Sequence, residues 1–312
     1  MSLSLRIFTE PQFGASYEDQ LTHAREAEAL GFDAWFRSDH YLTMDAGPGL
    51  PGPTDAWVTL AGLARETERI RLGTMVTAAT FRLPGPLAIA VAQVDAMSGG
   101  RVELGLGAGW FGAEHTAYGI PFPSVAERFD RLEEQLAIVT GLWEVPLGDR
   151  FSYEGAHWHV ADSPGLPKPV QRPRPPVIVG GYGKTRTPEL AARYADEFNT
   201  PFAPLATFVE QKRLVTEALE KAGRDPATMT WSAALVCCVG TDEDQFRRRA
   251  GSIGQDADTL RRDQAGGTVP EVVDRLGAFA GAGADRVYLQ CLDMTDLDLL
   301  GLVANEVSPG LS

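Results

Sequence analysis

A closed α/β barrel of the (β/α)8 TIM type is the fold class that the sequence predicts, and three observations predict it. Short apolar, β-rich runs alternate with helical segments along the whole 312-residue chain. The strand and helix units number about eight, the count at which a parallel sheet closes on itself. The first strand runs into "TEPQFG" rather than into the glycine-rich turn with which an open, doubly wound sheet begins.

The elements follow in order. Strands are expected at 5–8, 33–36, 70–76, 101–107, 176–181, 196–199, 230–239 and 286–290, apolar enough to be buried on both faces. The helix after the first strand has both ends marked, with Ser16 as N-cap, Asp19 at the third helical position and Gly31 as the stop. Helical units recur at 54–68, 85–100, 124–143, 187–196 and 269–285. No Pro, Gly or Ser linker divides the chain, so a single domain over 1–312 is expected. The aromatic, irregular stretch 143–176 reads as an ordered insertion carrying a short hairpin.

Composition excludes several classes. With 44% hydrophobic and 22% charged residues the chain can bury a large core. Its 28 Lys and Arg against 42 Asp and Glu give a charge of -14, which repels nucleic acid. Cys237 and Cys238 are adjacent and Cys291 is remote, a spacing for neither zinc nor thioredoxin chemistry, and a reducing cytoplasm fits. No run has the apolar length of a membrane span, and the first residues do not read as a secretion signal.

In a parallel barrel the C-terminal ends of the strands build the active site. "SDH", Ser38 to His40, follows the second strand and would face that mouth. Asp39 either caps a turn or fixes the histidine's tautomer, and His40 stands where proton transfer is useful. Gly105, Gly107 and Gly109 end the fourth strand, which either lets a planar ligand approach the backbone or marks a tight corner; Trp110 and Phe111 could cover such a ligand or close the core. The strand ending in Gly180, Gly181 and Gly183 leads through Lys184, Thr185 and Arg186 into a helix expected to be capped at Thr187. Amides, helix terminus and cations there suit a phosphate, the alternative being an ordinary strand-to-helix turn. "HWH", residues 157–159, has the spacing of a metal pair but lies in the insertion, so packing is the expected role and no metal site is expected. The arginines at 247–249 and 261–262 read as solvated helix faces.

Taken together, "SDH", "IRLGTMVTAATFRLPGPLAIAVAQVDAMSGGRVELGLGAGW" and "IVGGYGKTRTPELAARYAD", in this order, resemble the bacterial luciferase-like superfamily, and within it the deazaflavin-dependent oxidoreductases. The resemblance implies a barrel with an inserted segment and a flavin-type ring at the strand C-termini. The cofactor implied is coenzyme F420, with flavin mononucleotide (FMN) as the alternative. His40 would stand at the reactive edge of the ring with Asp39 beside it. A non-proline cis peptide is implied between Met75 and Val76, with Thr77 lining the site after it. Gly107 and Gly109 would admit the ring, and Gly180, Gly181 and their neighbours would hold the phosphate. Where the family's sugar-phosphate dehydrogenases carry Glu and Trp, this chain has Trp110 and Met44, which speaks against glucose 6-phosphate. Tyr41, Phe81, Trp110 and Phe111 are expected at the mouth, suggesting a small, fairly apolar organic substrate, with Glu114 and His115 as contact candidates. The expected activity is hydride transfer between that substrate and the deazaflavin. An FMN-dependent monooxygenase and a non-catalytic flavin-binding protein remain alternatives, as does a metal-dependent hydrolase using Asp39, His40, His157 and His159. Relatives of this kind imply a homodimer.

Overall fold

Period-two alternation governs every strand of the protein, whose computed structural model describes residues 3–44 and 49–311. The strands in chain order are β1 (Ser4–Thr9), β2 (Ala34–Arg37), β3 (Arg71–Thr74), β4 (Thr77–Ala78), β5 (Val102–Gly107), β6 (Phe151–Glu154), β7 (His159–Ser163), β8 (Val177–Gly180), β9 (Glu197–Pro201), β10 (Thr230–Gly240), β11 (Ala265–Thr268) and β12 (Arg286–Cys291). The helices are α1 (Tyr17–Ala29), α2 (Ala56–Glu66), α3 (Pro84–Ser98), α4 (Gly112–Ala117), α5 (Val125–Glu144), α6 (Arg186–Tyr194), α7 (Leu205–Lys221), α8 (Glu243–Ser252), α9 (Ala257–Asp263), α10 (Val269–Gly281) and α11 (Leu297–Leu302).

Eight parallel strands close the predicted barrel in the order β1, β2, β3, β5, β8, β9, β10, β12, with β12 pairing back to β1. After β3 the Met75–Val76 peptide is cis, as the resemblance implies, and β4 continues the pairing along β5. β11 pairs with the C-terminal half of β10, and β6 and β7 form an antiparallel hairpin between α5 and β8.

Alternation divides the side chains into two cores. Outward residues such as Ile7, Trp35, Leu72, Leu104, Val179 and Leu289 join one large cluster with the helices. Inward residues Phe8, Ala34, Phe36, Met75, Ile178, Ala234 and Tyr288 form a separate plug inside the barrel. Below the plug, toward the strand N-termini, the interior is ionic. Arg6 donates to Glu103 at 2.7 Å and to the Tyr288 hydroxyl at 3.0 Å, and reaches Asp33 at 2.7 Å. Arg71 also pairs with Glu103, and Arg286 pairs with Glu197. Burial alone would raise the Glu103 pKa, but the charges of Arg6 and Arg71 more than offset it and hold the group down to about 2.

The end signals expected of the first helix hold. Ser16 and Asp19 form a reciprocal capping box, and Asp55 and Ser124 cap α2 and α5. Two buried acids tie down the stretch between α5 and β8. Glu134 accepts the amides of Ala156, His157 and Trp158, and Asp95 accepts those of Val170 and Gln171.

Elsewhere the structure departs from the pattern. Helix α7 stands where no unit is expected, because it starts after Pro204 without any side-chain cap to announce it. The helix after β8 begins at Arg186 with Thr185 at its N-cap, two residues earlier than Thr187, which is buried. Arg249 is not on a solvated face: it pairs with Asp296 at 2.6 Å and donates to the Val239 carbonyl. Cys237 and Cys238 do face opposite ways, one into the main core and one into a small cluster under α8 and α9.

One buried titratable group links this core to pH. His23 in α1 is fully buried and accepts a hydrogen bond at Nδ1 from the Trp35 indole, 3.1 Å away. Burial depresses its pKa from 6.5 to about 4. The unfolded chain therefore binds a proton that the folded one refuses, so stability is retained above pH 6.5 and falls as pH drops from 6.5 toward 4. Urea denaturation at pH 7.5 and pH 4.5 is expected to show a loss from this group of about 2–3 kcal/mol. A His23→Leu variant should show a correspondingly smaller loss over that range.

Candidate active site

The C-terminal mouth of the barrel opens into a cavity of about 1310 Å³. Its floor is made of the last inward position of successive strands: Glu10 after β1, Met75 and Val76 after β3, Gly107 in β5, Gly180 in β8, Pro201 in β9, Val236 in β10 and Gln290 in β12. Asp39, His40, Gly109, Trp110, Glu114, Gly181 and Arg128 complete part of its wall. Predicted residues thus come together here, and the structure also sorts them.

His40 lines the cavity, and its Nδ1 lies 2.9 Å from Oε1 and 3.1 Å from Oε2 of Glu114. Glu114 is 1% exposed and also accepts the Tyr41 amide at 2.9 Å. It is the first acid of α4, projected under the loop that follows "GLGAGW". Burial disfavours charge on His40, but the hydrogen bond and charge of Glu114, aided by Glu10 and Asp39, outweigh it and raise the imidazole above its ordinary 6.5. A carboxylate on Nδ1 fixes the donor there and leaves Nε2 as the exchanging nitrogen.

The expected partner, Asp39, is engaged otherwise. Arg82 grips both of its oxygens, and Thr77 donates to Oδ2 at 2.9 Å. Arg82 also pairs with Asp55 and donates to the Tyr41 hydroxyl at 3.1 Å. Asp39 therefore anchors the turn after β2, and Glu114, read as a substrate contact, orients the histidine. Thr77 lies behind Asp39, fully buried and accepting from the Trp57 indole, and is not among the cavity residues.

Other expected residues stand apart from the cavity or at its edge. Tyr41 stacks on Phe81 with centroids 4.9 Å apart and its hydroxyl on Asp55, outside the cavity lining. Phe111 stands behind His40, edge-on at 6.2 Å, so that of the four aromatics expected at the mouth Trp110 lines the cavity. His115 is fully buried between Thr80 and the Phe111 carbonyl and is not among the residues lining the cavity. Gly105 is a packing glycine, since a Cβ there would lie 2.1 Å from the Thr74 carbonyl; Gly107 serves both readings, lining the cavity and passing Val76 closely.

At the opposite wall, Gly180, Gly181, Tyr182 and Thr187 line the cavity, whereas Gly183, Lys184, Thr185 and Arg186 do not. Arg186 turns to Asp130 and the Ala126 carbonyl, and Lys184 is exposed. The cation that lines the cavity is Arg128, on the first turn of α5. It is 8% exposed, stacks over Phe122 at 3.9 Å and donates to the Pro123 carbonyl; its Nε has no partner, and among the described residues no carboxylate pairs with it. His157 and His159 lie on the β6–β7 hairpin, His159 beside Glu154, and among the described residues no group of three or more His, Cys, Asp and Glu is placed to hold a metal.

Sequence reasoning missed Glu10, Gln290 and Arg128. The first two had a signal, a polar residue where an apolar barrel strand ends. Arg128 had none, being one arginine in a charged helix.

Comparison with known proteins places the chain in a family. The sequence matches the luciferase-like monooxygenase family over residues 1–271. It is 37% identical over 202 residues to the F420-dependent glucose-6-phosphate dehydrogenase of Microbacterium testaceum, covering 64% of this chain and 57% of the relative. It is 32% identical over 249 residues to the F420-dependent hydroxymycolic acid dehydrogenase of Mycobacterium tuberculosis, covering 75% of this chain and 64% of the relative. The chain thus matches less than two thirds of either relative's length. The fold superposes on an F420-dependent secondary alcohol dehydrogenase with a TM-score of 0.84 at 21% identity, both chains covered in full. It also superposes on the F420-dependent tetrahydromethanopterin reductase of Methanopyrus kandleri, with a TM-score of 0.82 at 20% identity and full coverage of both. By the extent of the sequence match, the chain belongs to the luciferase-like monooxygenase family.

Proposed function

We propose that the protein is an oxidoreductase that transfers a hydride between a deazaflavin coenzyme of the F420 type and a small, fairly apolar organic substrate. The observation that carries this reading is the His40–Glu114 pair, standing in a cavity whose floor includes the bare backbone of Gly107 and Gly180. The residues present fit such a coenzyme. Gly107 and Gly180 present main chain where side chains would fill the cavity, and Gly181, at φ +130°, has nothing within 4 Å of where a Cβ would stand. Arg128, buried with an unpartnered Nε, suits an oxyanion, and α6 begins without a side-chain cap beside Thr187. The naming of F420 in the relatives supports the deazaflavin over FMN.

When bound, the coenzyme supplies a two-electron hydride acceptor or donor. The chain's own residues supply proton handling and enclosure. Nε2 of His40 takes the proton released when a substrate carbon gives up hydride, or returns it in the reverse direction. Glu114 is a positioning residue, holding the ring and stabilising its protonated form. Phe8, Phe13, Met44, Trp110, Phe202 and Leu292 give the cavity an apolar wall for the substrate body.

Spectroscopic titration with F420 and with FMN tests the cofactor: preferential binding of F420 is expected, and preference for FMN would favour a monooxygenase instead. Arg128→Met is expected to weaken binding of the phosphorylated coenzyme at least about tenfold, the loss of one charge-assisted contact.

Glu114→Gln keeps the shape of the pair and removes its charge. The limb of the kcat/KM pH profile governed by His40 is then expected to move to lower pH, with a rate loss of about 10²-fold at neutral pH. An unmoved limb would show that His40 is not the titrating group.

A further inference from the structure

The charge balance of the cavity bears on which substrates it admits. Four carboxylates line it, Glu10, Asp39, Glu114 and Asp293, and Arg128 is the one Lys or Arg among the described lining residues. Asp39 is offset by Arg82 and Glu114 by His40. Glu10 and Asp293 form no ion pair among the described residues, and the His40 charge that Glu10 helps to stabilise is already held by Glu114. Glu10 is 7% exposed; its Oε1 accepts from Gln290 Nε2 at 2.7 Å and its Oε2 from Gln12 Nε2 at 2.5 Å. Gln12 in turn accepts from Ser38, two residues before His40, at 2.7 Å. Asp293 follows β12 two residues after Cys291, and among the described residues its carboxylate accepts from Thr295 alone, through Oδ1.

From this we infer that Glu10, with Asp293, is a specificity determinant that makes the β1–β12 side of the cavity select neutral or cationic substrates bearing a hydrogen-bond donor, an alcohol or an amine, and reject anions. The inference rests on the proposed function in one respect: Arg128 is taken up by the coenzyme phosphate and cannot serve the substrate. Two neutral amides fix the Glu10 carboxylate in place without cancelling its charge, and each oxygen keeps a lone pair for a further donor. In a cavity of low polarity an uncompensated carboxylate repels an anion far more than it would in water. A phosphorylated or carboxylated substrate would meet that repulsion with only the His40 charge, already taken up by Glu114, to offset it, whereas a hydroxyl or ammonium group would find an acceptor held in register with His40 through Gln12 and Ser38.

The test uses four probes of similar size: cyclohexanol, cyclohexylammonium, cyclohexanecarboxylate and methylcyclohexane. Their dissociation constants are measured by calorimetry on the protein loaded with whichever of F420 or FMN it prefers. A failure of the deazaflavin reading and a failure of this one are then separate results. The alcohol and the ammonium should bind at least about tenfold more tightly than the carboxylate, a margin of about 1.4 kcal/mol. Glu10→Gln should erase most of that margin by improving carboxylate binding, with methylcyclohexane unaffected, and preference between alcohol and ammonium identifies the donor. Asp293→Asn, on the more exposed part of the same wall, should reduce the margin in the same direction and provides a second variant should Glu10→Gln not fold. Equal affinity for the carboxylate in the unaltered protein, no binding of either donor probe, or variants that shift all four probes alike would overturn the inference.

Discussion

The buried carboxylate of Glu103 is the constraint on which the rest of the barrel depends. It sits on β5 with Arg6 from β1, Arg71 from β3 and Arg286 from β12 around it, so charges from opposite sides of the ring meet in the interior. Such an arrangement adds little net stability over an apolar filling, because desolvating the ions costs about as much as their attraction returns. What it supplies is register. A strand that slipped by one residue would turn its charge outward into the apolar layer beneath the helices and leave the others buried without a partner. Closing the N-terminal half with ions and the middle with Phe8, Phe36 and Tyr288 leaves the C-terminal end as the place where the barrel stays open.

The mouth uses the same principle at higher resolution. Two acids near one histidine could exchange roles, and the structure separates them by giving each its own partner. Arg82 and Thr77 hold Asp39 as an anchor, while Glu114 arrives from α4, an element late in the loop after β5, to hold His40. The histidine is thus fixed by a residue 74 positions away rather than by its neighbour. A third acid, Glu10, is held by the amides of Gln12 and Gln290 and by no ion pair among the described residues. Three carboxylates in one pocket acquire three electrostatic characters from what stands behind them.

Much of this was legible before any coordinates. The eight strands, the capping box of Ser16 and Asp19, the hairpin between α5 and β8 and the position of His40 at a strand end all follow from local pattern, since strand periodicity and helix caps are properties of a few consecutive residues. Helix α7 was not legible because its start lacks a capping side chain, and the phosphate-side cations were misassigned because Lys184 and Arg186 are near the glycines in sequence. Pairing with Asp130 took Arg186 out of the cavity, and α5, packed alongside α6, brought Arg128 in.

The sequence by itself determined the architecture and the end of the barrel at which chemistry is exposed, because alternation and chain order admit few other parallel folds for eight such units. It determined that a histidine stands at that end. Only the tertiary structure decided which carboxylate orients the histidine, which arginine faces the cavity and which acid is left without a counter-charge. Those choices are contacts between residues far apart in the chain, set by how neighbouring loops pack, and no local pattern records them.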